Sequence, residues 1–202
     1  MRLRFKLLAS GSSGNAAVVE AGATRILLDA GVGPRILAEK LGAAGVEPGS
    51  IEAVFLSHEH NDHIHGAARF SKRWGVRLSA SRGTIEASGL RESETAGCDV
   101  VHAGQTRRVG PLAVTSLAVP HDARAPLAFL VGLEERSDPE LALVTDLGHL
   151  PAELVERISR CRALVLESNH DVAMLRDGPY AWPLKERILS WTGHLSNRQA
   201  AK

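Results

Sequence analysis

The apolar run at 51–56, Ile-Glu-Ala-Val-Phe-Leu, ends abruptly in Ser57-His58-Glu59-His60-Asn61-Asp62-His63, and this junction constrains the chain more than any other feature. A short apolar run bounded by polar residues reads as a buried strand. The histidines therefore lie at a strand's C-terminal end. Two later runs repeat the arrangement: 141–145 leads into Asp146, and 163–166 leads into Glu167-Ser168-Asn169-His170. In sheets flanked by helices, ligands bind just outside such strand ends.

The rest of the chain alternates short strands with helical patterns, which predicts an α/β fold. Strands are expected at 3–8, 16–20 and 25–28, separated by the loop Gly11-Ser12-Ser13-Gly14-Asn15 and the turn Ala21-Gly22. A helix opens at Pro34, carries Ile36, Leu37, Lys40 and Leu41 at helical spacing, and ends at Gly42 and Gly45. The same reading gives a helix from Gly66 to Trp74 and a strand at 76–80. A short helix near 83–89 and strands around Val100, 112–119 and 127–133 follow, then a helix whose first turn carries Pro151 and Glu153. No solenoid repeat or Pro/Gly/Ser-rich linker divides the chain, so 1–202 is expected to be one domain.

Composition narrows the class. With 44% hydrophobic and 23% charged residues, 202 residues suffice for a packed core. The 24 basic and 23 acidic side chains nearly cancel to +1, which argues against holding nucleic acid by a large positive field and leaves room for a local basic groove. The basic stretch Arg69, Lys72, Arg73 and Arg77 reads as a solvated helix face. Two cysteines without C-x-x-C spacing fit a reduced cytoplasm. The start, MRLRFKLLASGSSGN, is a poor signal peptide, and no run approaches the ~20 apolar residues a membrane span needs.

Nine histidines against eight aromatics, four of them between 58 and 65, call for a chemical reason. Residues two apart on an extended segment share a side, so His58 and His60 can share one metal while the following turn swings Asp62 and His63 toward a second. Imidazole and carboxylate donors without thiolate suit zinc, manganese or iron. One such histidine alone would be a solvated loop residue. Four ligand-type side chains within six residues, placed after an apolar strand, favour metal. His121 and Asp146 each have a plain alternative, a loop residue and a helix cap. A carboxylate can bridge two cations, which makes Asp146 the bridging candidate once the other ligands are accepted. The Gly11–Asn15 segment lacks the lysine of a phosphate loop and leads to a strand; Ser12 or Asn15 is expected to approach the site. Trp74, Trp182 and Trp191 read as packing, with base stacking as the lesser alternative.

His58-x-His60-x-Asp62-His63 followed by a distant His and a distant Asp resembles the hallmark of the metallo-β-lactamase-fold hydrolases. The chain is most similar to their YycJ-like branch, itself similar to ribonuclease Z and to phosphodiesterases of this fold. Further matching segments are Leu8–Asn15, Ser57–Gly66, Thr145-Asp146, Glu167–Asp171 and Gly193-His194-Leu195-Ser196-Asn197. The resemblance implies a four-layer αββα sandwich with a binuclear centre at the open edge between two sheets. It implies His58, His60 and His121 on the first of two divalent ions (zinc or manganese, iron as an option), Asp62 and His63 on the second, and Asp146 as the bridge. Asp29 corresponds to a strand-end aspartate, read as structural. Relatives also carry a further histidine on a late strand and continue beyond the Gly-His-Leu-Ser segment. The expectation is thus a C-terminally short sandwich whose last ligand is missing, with His170 or His194 as substitutes and a homodimer as a way to cover the edge.

Glu167 and His194 are similar to a pair in nucleic-acid-processing members in which the Glu orients a His that protonates the leaving oxygen; the alternative is a helix cap and an exposed loop residue. His65, His102 and His149 are read as non-ligands. The resulting expectation is a phosphodiesterase or exonuclease acting on nucleic-acid ends or a small phosphodiester, with Asp62, Glu167 and His194 in the chemistry and a hydroxide between the metals as nucleophile. Two other functions fit the same residues: hydrolysis of a small ester, thioester or lactone, and a non-catalytic metal-binding remnant.

Overall fold

The computed structural model describes residues 1–202. Strands β1 (Leu3–Ala9), β2 (Ala16–Ala21) and β3 (Thr24–Leu28) form an antiparallel meander, extended in parallel by β4 (Ala53–Phe55), β5 (Leu78–Ala80) and β6 (Cys98–Val100). Strand direction follows from connection length, because a tight turn reverses the chain while a parallel neighbour needs a crossover. The β2–β3 turn at Gly22-Ala23 reverses it; α1 (Pro34–Ala43), then α2 (Asn61–Ile64) with α3 (Ala67–Trp74), then α4 (Arg82–Ser88) carry it back.

The second sheet has the order β11-β10-β9-β8-β7. Its strands are β7 (Thr106–Val109), β8 (Leu112–Ala118), β9 (Leu127–Leu133), β10 (Leu141–Val144) and β11 (Ala163–Leu166), with α5 (Ala152–Ile158) crossing between parallel β10 and β11. Helices α6 (Val172–Asp177), α7 (Trp182–Leu189) and α8 (Asn197–Ala200) follow.

Period-two alternation sorts side chains into layers. On β2, Ala17, Val19 and Ala21 face the second sheet, where they join Phe55, Leu112, Val114, Phe129, Val131 and Leu143 in one core. Ala16 and Val18 face the other way, onto Leu37 and Leu41 of α1 and Ala67 and Phe70 of α3. The outer face of the second sheet packs Leu130, Ala142 and Val144 against Leu154 and Ile158 of α5. Helix, sheet, sheet and helix thus stack in the expected αββα order. At the centre, Phe55 and Phe129 meet edge to face with centroids 5.8 Å apart.

Three local readings shift. Pro151 caps α5 from outside rather than sitting in its first turn. The strand expected at 76–80 begins at Leu78, because the Val76 amide bonds back to Ser71 O. The polar β7 and helices α6 and α7 carry too little apolar periodicity to be read in advance; β7 exists because β8 supplies its ladder partners.

Candidate metal centre

The centre lies where β4 and β10 run out, and backbone closure builds it before any side chain does. Asn15 N–H donates to Asp62 O (2.7 Å), Gly31 N–H to Asn15 O (2.8 Å) and Ala30 N–H to His63 O (2.9 Å), which pins the histidine loop onto the start of β2 and the end of β3. Gly31 is required here, since a Cβ would run into the Asp62 carbonyl. Asp29 (φ 60°) and Asp146 (φ 50°) both follow strands in the left-handed region. Aspartate tolerates that conformation better than most residues, at a cost on the order of 1 kcal/mol.

The hydrogen-bond network assigns each imidazole an outer and an inner nitrogen. Buried Asp29 accepts from Ser57 N–H (2.7 Å), Ser57 Oγ–H (2.9 Å) and His63 Nδ1–H (2.8 Å). Ser57 Oγ accepts in turn from His58 Nδ1–H (3.0 Å), and Gly193 O accepts from His121 Nδ1–H (3.1 Å). The remaining nitrogens point inward. His60 Nδ1 lies 3.0 Å from His58 Nε2 and 3.2 Å from His121 Nε2. His63 Nε2 lies 2.8 Å from Asp146 Oδ2 and 3.4 Å from Asp62 Oδ2. Asp146 Oδ1 lies 3.2 Å from His194 Nδ1, which also meets Glu167 Oε2 at 3.0 Å. Glu167 is itself fixed, its Oε1 accepting from Leu147 N–H (2.7 Å) and Leu195 N–H (3.0 Å).

Charge follows from these contacts. Burial, reinforced by the neighbouring His63 cation, holds His58 down to about 2, and burial lowers His121 as well. For His63 burial pulls downward too, but Asp29, Asp146 and Asp62 outweigh it and push the imidazole up to about 12. Burial likewise opposes the charge on His194, yet Asp146 and Glu167 push it up to about 10. Against the burial that would raise it, hydrogen bonds from His194 and His63 hold the Asp146 carboxyl well below the usual carboxylate range.

This donor set fits divalent cations. Inward nitrogens from His58, His60 and His121 converge, and with the Nδ1 protons of His58 and His121 engaged by Ser57 Oγ and Gly193 O, their Nε2 atoms present lone pairs that a cation can take. The atoms able to ligate fall into three groups, each within 4.8 Å: His58, His60 and His121; His58, His63 and Asp146; and His121, Asp146 and His194. Asp146 belongs to two of them. The side facing solvent is formed by the partly exposed His60, Asp62 and His194, while the His58, His63 and His121 side chains are sealed.

The structure thus brings together His58, His60, Asp62, His63, His121, Asp146, Glu167 and His194. His170 stands apart: it pairs through its backbone with Ser196, and both ring nitrogens are buried without a partner. His65, His102 and His149 join none of the ligating groups. Asn15 does approach, its Nδ2–H donating to Asp62 Oδ2 at 3.1 Å, whereas Ser12 makes no such bond. Asp122 was not singled out by its sequence. Its Oδ1 lies 3.2 Å from His121 Nε2 and 3.9 Å from His60 Nε2, while Oδ2 accepts from Arg187 Nε. Adjacency to His121 was the only signal; Arg187 lies 65 residues away.

Residues 9–97 match the Metallo-beta-lactamase superfamily. Exodeoxyribonuclease WalJ of Streptococcus pneumoniae is 34% identical over 98% of this chain and 74% of its own length. Exodeoxyribonuclease YycJ of Bacillus anthracis is 34% identical over 100% of this chain and 76% of its own. Among solved structures, the metallo-beta-lactamase fold protein YhfI of Bacillus subtilis superposes with a TM-score of 0.73 at 18% identity, over 98% of this chain and 79% of YhfI. Zn2+-bound PqqB of Methylobacterium extorquens gives 0.71 at 19% identity, over 90% and 68%. At those identities the superpositions speak to fold, and the two exodeoxyribonucleases speak to descent: this chain belongs to the metallo-beta-lactamase superfamily, on the branch that holds WalJ and YycJ.

Proposed function

We propose that the chain is a two-metal phosphodiesterase that shortens DNA from its ends. The observation that carries this reading is Asp146, whose two oxygens face His63 on one side and the Glu167-held His194 on the other. In this reading His58, His60 and His121 would hold one divalent ion and Asp62 and His63 the other, with Asp146 as the residue that would serve both. Zinc and manganese suit these donors. Both similar exodeoxyribonucleases are named for action on DNA.

Divalent ions in such a site supply Lewis acidity, bringing water toward ionisation at neutral pH and neutralising charge on phosphoryl oxygens. The chain's own residues do the rest. Glu167 accepts the Nδ1–H of His194 and favours its protonated form, which leaves Nε2–H as the proton to give to the departing sugar oxygen. Glu167 acts by positioning, because two backbone amides fix it. Arg187 stands half-exposed at the rim and engages Asp122, so its guanidinium can turn to a backbone phosphate. No helix is long and apolar enough to cross a membrane. We place the chain in a reducing cytoplasm as one domain over 1–202, with homodimerisation open to direct measurement.

End-labelled DNA incubated with the protein and Mn2+ or Zn2+ tests the reading. Stepwise loss of nucleotides from an end, abolished by Asp62→Ala, is expected. Two bound metals with no DNA shortening, alongside turnover of an aryl ester, would refute it in favour of a small-ester hydrolase.

A further inference from the structure

Trp191 is 72% exposed although it lies three residues from His194. One face of its indole is covered: it stacks on the His149 imidazole with centroids 3.8 Å apart and planes 25° from parallel. His149 is itself three residues from Asp146. The two segments are locked together. His149 Nδ1–H donates to Trp191 O (3.0 Å), and Gly148 sits so close to the Trp191 carbonyl that no Cβ fits. The Leu147 and Leu195 amides share Glu167 Oε1, and the Gly193 carbonyl accepts from His121 Nδ1–H. The indole is therefore backed by a second ring and held rigidly beside the groups expected to act on a phosphodiester. Its outer face has no partner in the fold. Arg187, 55% exposed, emerges from the last turn of α7, just before this segment.

We propose that the outer face of Trp191 is a stacking platform for a nucleobase of the DNA end, with Arg187 on the adjoining phosphate; this rests on the nuclease reading above. A ring face accepts any base, which suits removal of nucleotides without regard to sequence. An imidazole behind the indole keeps the platform from folding away. A small-ester substrate would leave such a platform unused.

The test compares the wild type with Trp191→Ala and Trp191→Phe by fluorescence anisotropy. The probes are a short labelled single strand with phosphorothioate linkages and the same strand made abasic at its terminal nucleotides. Removal of one stacked base should weaken binding about 5- to 150-fold. Trp191→Ala is expected to lose affinity in that range for the normal strand, to bind the abasic strand like wild type, and to be largely rescued by Trp191→Phe. Thermal unfolding of both variants checks that the fold is kept. Equal affinity of Trp191→Ala and wild type, or an equal loss on both strands, would overturn the proposal. A changed oligomeric state with unchanged DNA affinity would also do so, marking the ring as a contact between copies. If the wild type neither binds nor shortens DNA while holding metal, the nuclease reading fails and takes this one with it. If the wild type shortens DNA and Trp191→Ala binds it equally well, only the platform is lost.

Discussion

Replacing Asp29 with asparagine probes a residue that offers no ligating atom and instead supports one that does, His63. Its carboxylate, 1% exposed, satisfies three donors: Ser57 N–H through Oδ1, and Ser57 Oγ–H and His63 Nδ1–H through Oδ2. Asparagine keeps one oxygen, which can still take the Ser57 amide, and turns a donor toward the other two. Two buried hydrogen bonds are lost at about 1–3 kcal/mol each, or roughly 2–6 kcal/mol together. With a urea m-value of about 2 kcal/mol/M, the unfolding midpoint should fall by roughly 1–3 M. The second effect is chemical. Without an acceptor at Nδ1, the neutral form of His63 that metal binding requires is free to carry its proton on Nε2, the atom that faces Asp146 and Asp62. Loss of such a supporting acceptor weakens metal binding about 10- to 100-fold. Urea unfolding followed by circular dichroism reads the first effect, and calorimetric titration with Zn2+ or Mn2+ reads the second. An unchanged midpoint together with metal affinity within twofold of wild type would refute the assignment of Asp29 as the acceptor that orients His63.

Other outcomes are expected. His60→Ala removes a partly exposed donor from the three-histidine group, so it should reduce bound metal per chain by elemental analysis. It should also diminish the metal-induced rise in Tm, which reflects about 2.7 kcal/mol when free metal is 100 times Kd. Glu167→Gln should lower kcat on DNA by about 10²- to 10⁴-fold with KM little changed. The same variant should hardly slow bis-p-nitrophenyl phosphate, whose leaving group needs no proton; equal slowing of both substrates would exclude acid positioning. Far from the centre, the Arg77 hydrogen bond, with Arg107 behind it, outweighs burial and holds Asp99 below the usual carboxylate range. Because the folded value is depressed, this stabilisation is present above the unfolded value of about 3.9 and disappears as pH falls through the folded value. The gap in urea midpoint between wild type and Asp99→Asn should therefore be open at neutral pH and closed in strong acid.

Much of the fold was legible because its core strands obey local rules. The alternation on β2 and the apolar runs of β3, β4, β9 and β10 mark surfaces buried on both sides, and turn residues mark their ends. The polar edge strand β7 and helices α6 and α7 were not legible, because an edge takes its hydrogen bonds from a neighbour and a short helix from its packing. In the site, His58, His60, Asp62 and His63 announce themselves by spacing within one segment. Strand-end position brought His121, Asp146 and Glu167 to attention with plain alternatives open, and family resemblance added His194 and gave all four their roles.

What the sequence determined by itself was the inventory: which donors exist, and that one buried strand delivers four of them together. What only the tertiary structure decided was their pairing. Asp29 at the end of β3 orients His63, Asp122 reaches from His121 to Arg187, and Trp191 rests on His149 from a segment 42 residues away. Hydrogen bonds and ring stacking act over a few ångströms of space and carry no mark of separation along the chain. Such pairings come into being only when the two sheets close on their shared core.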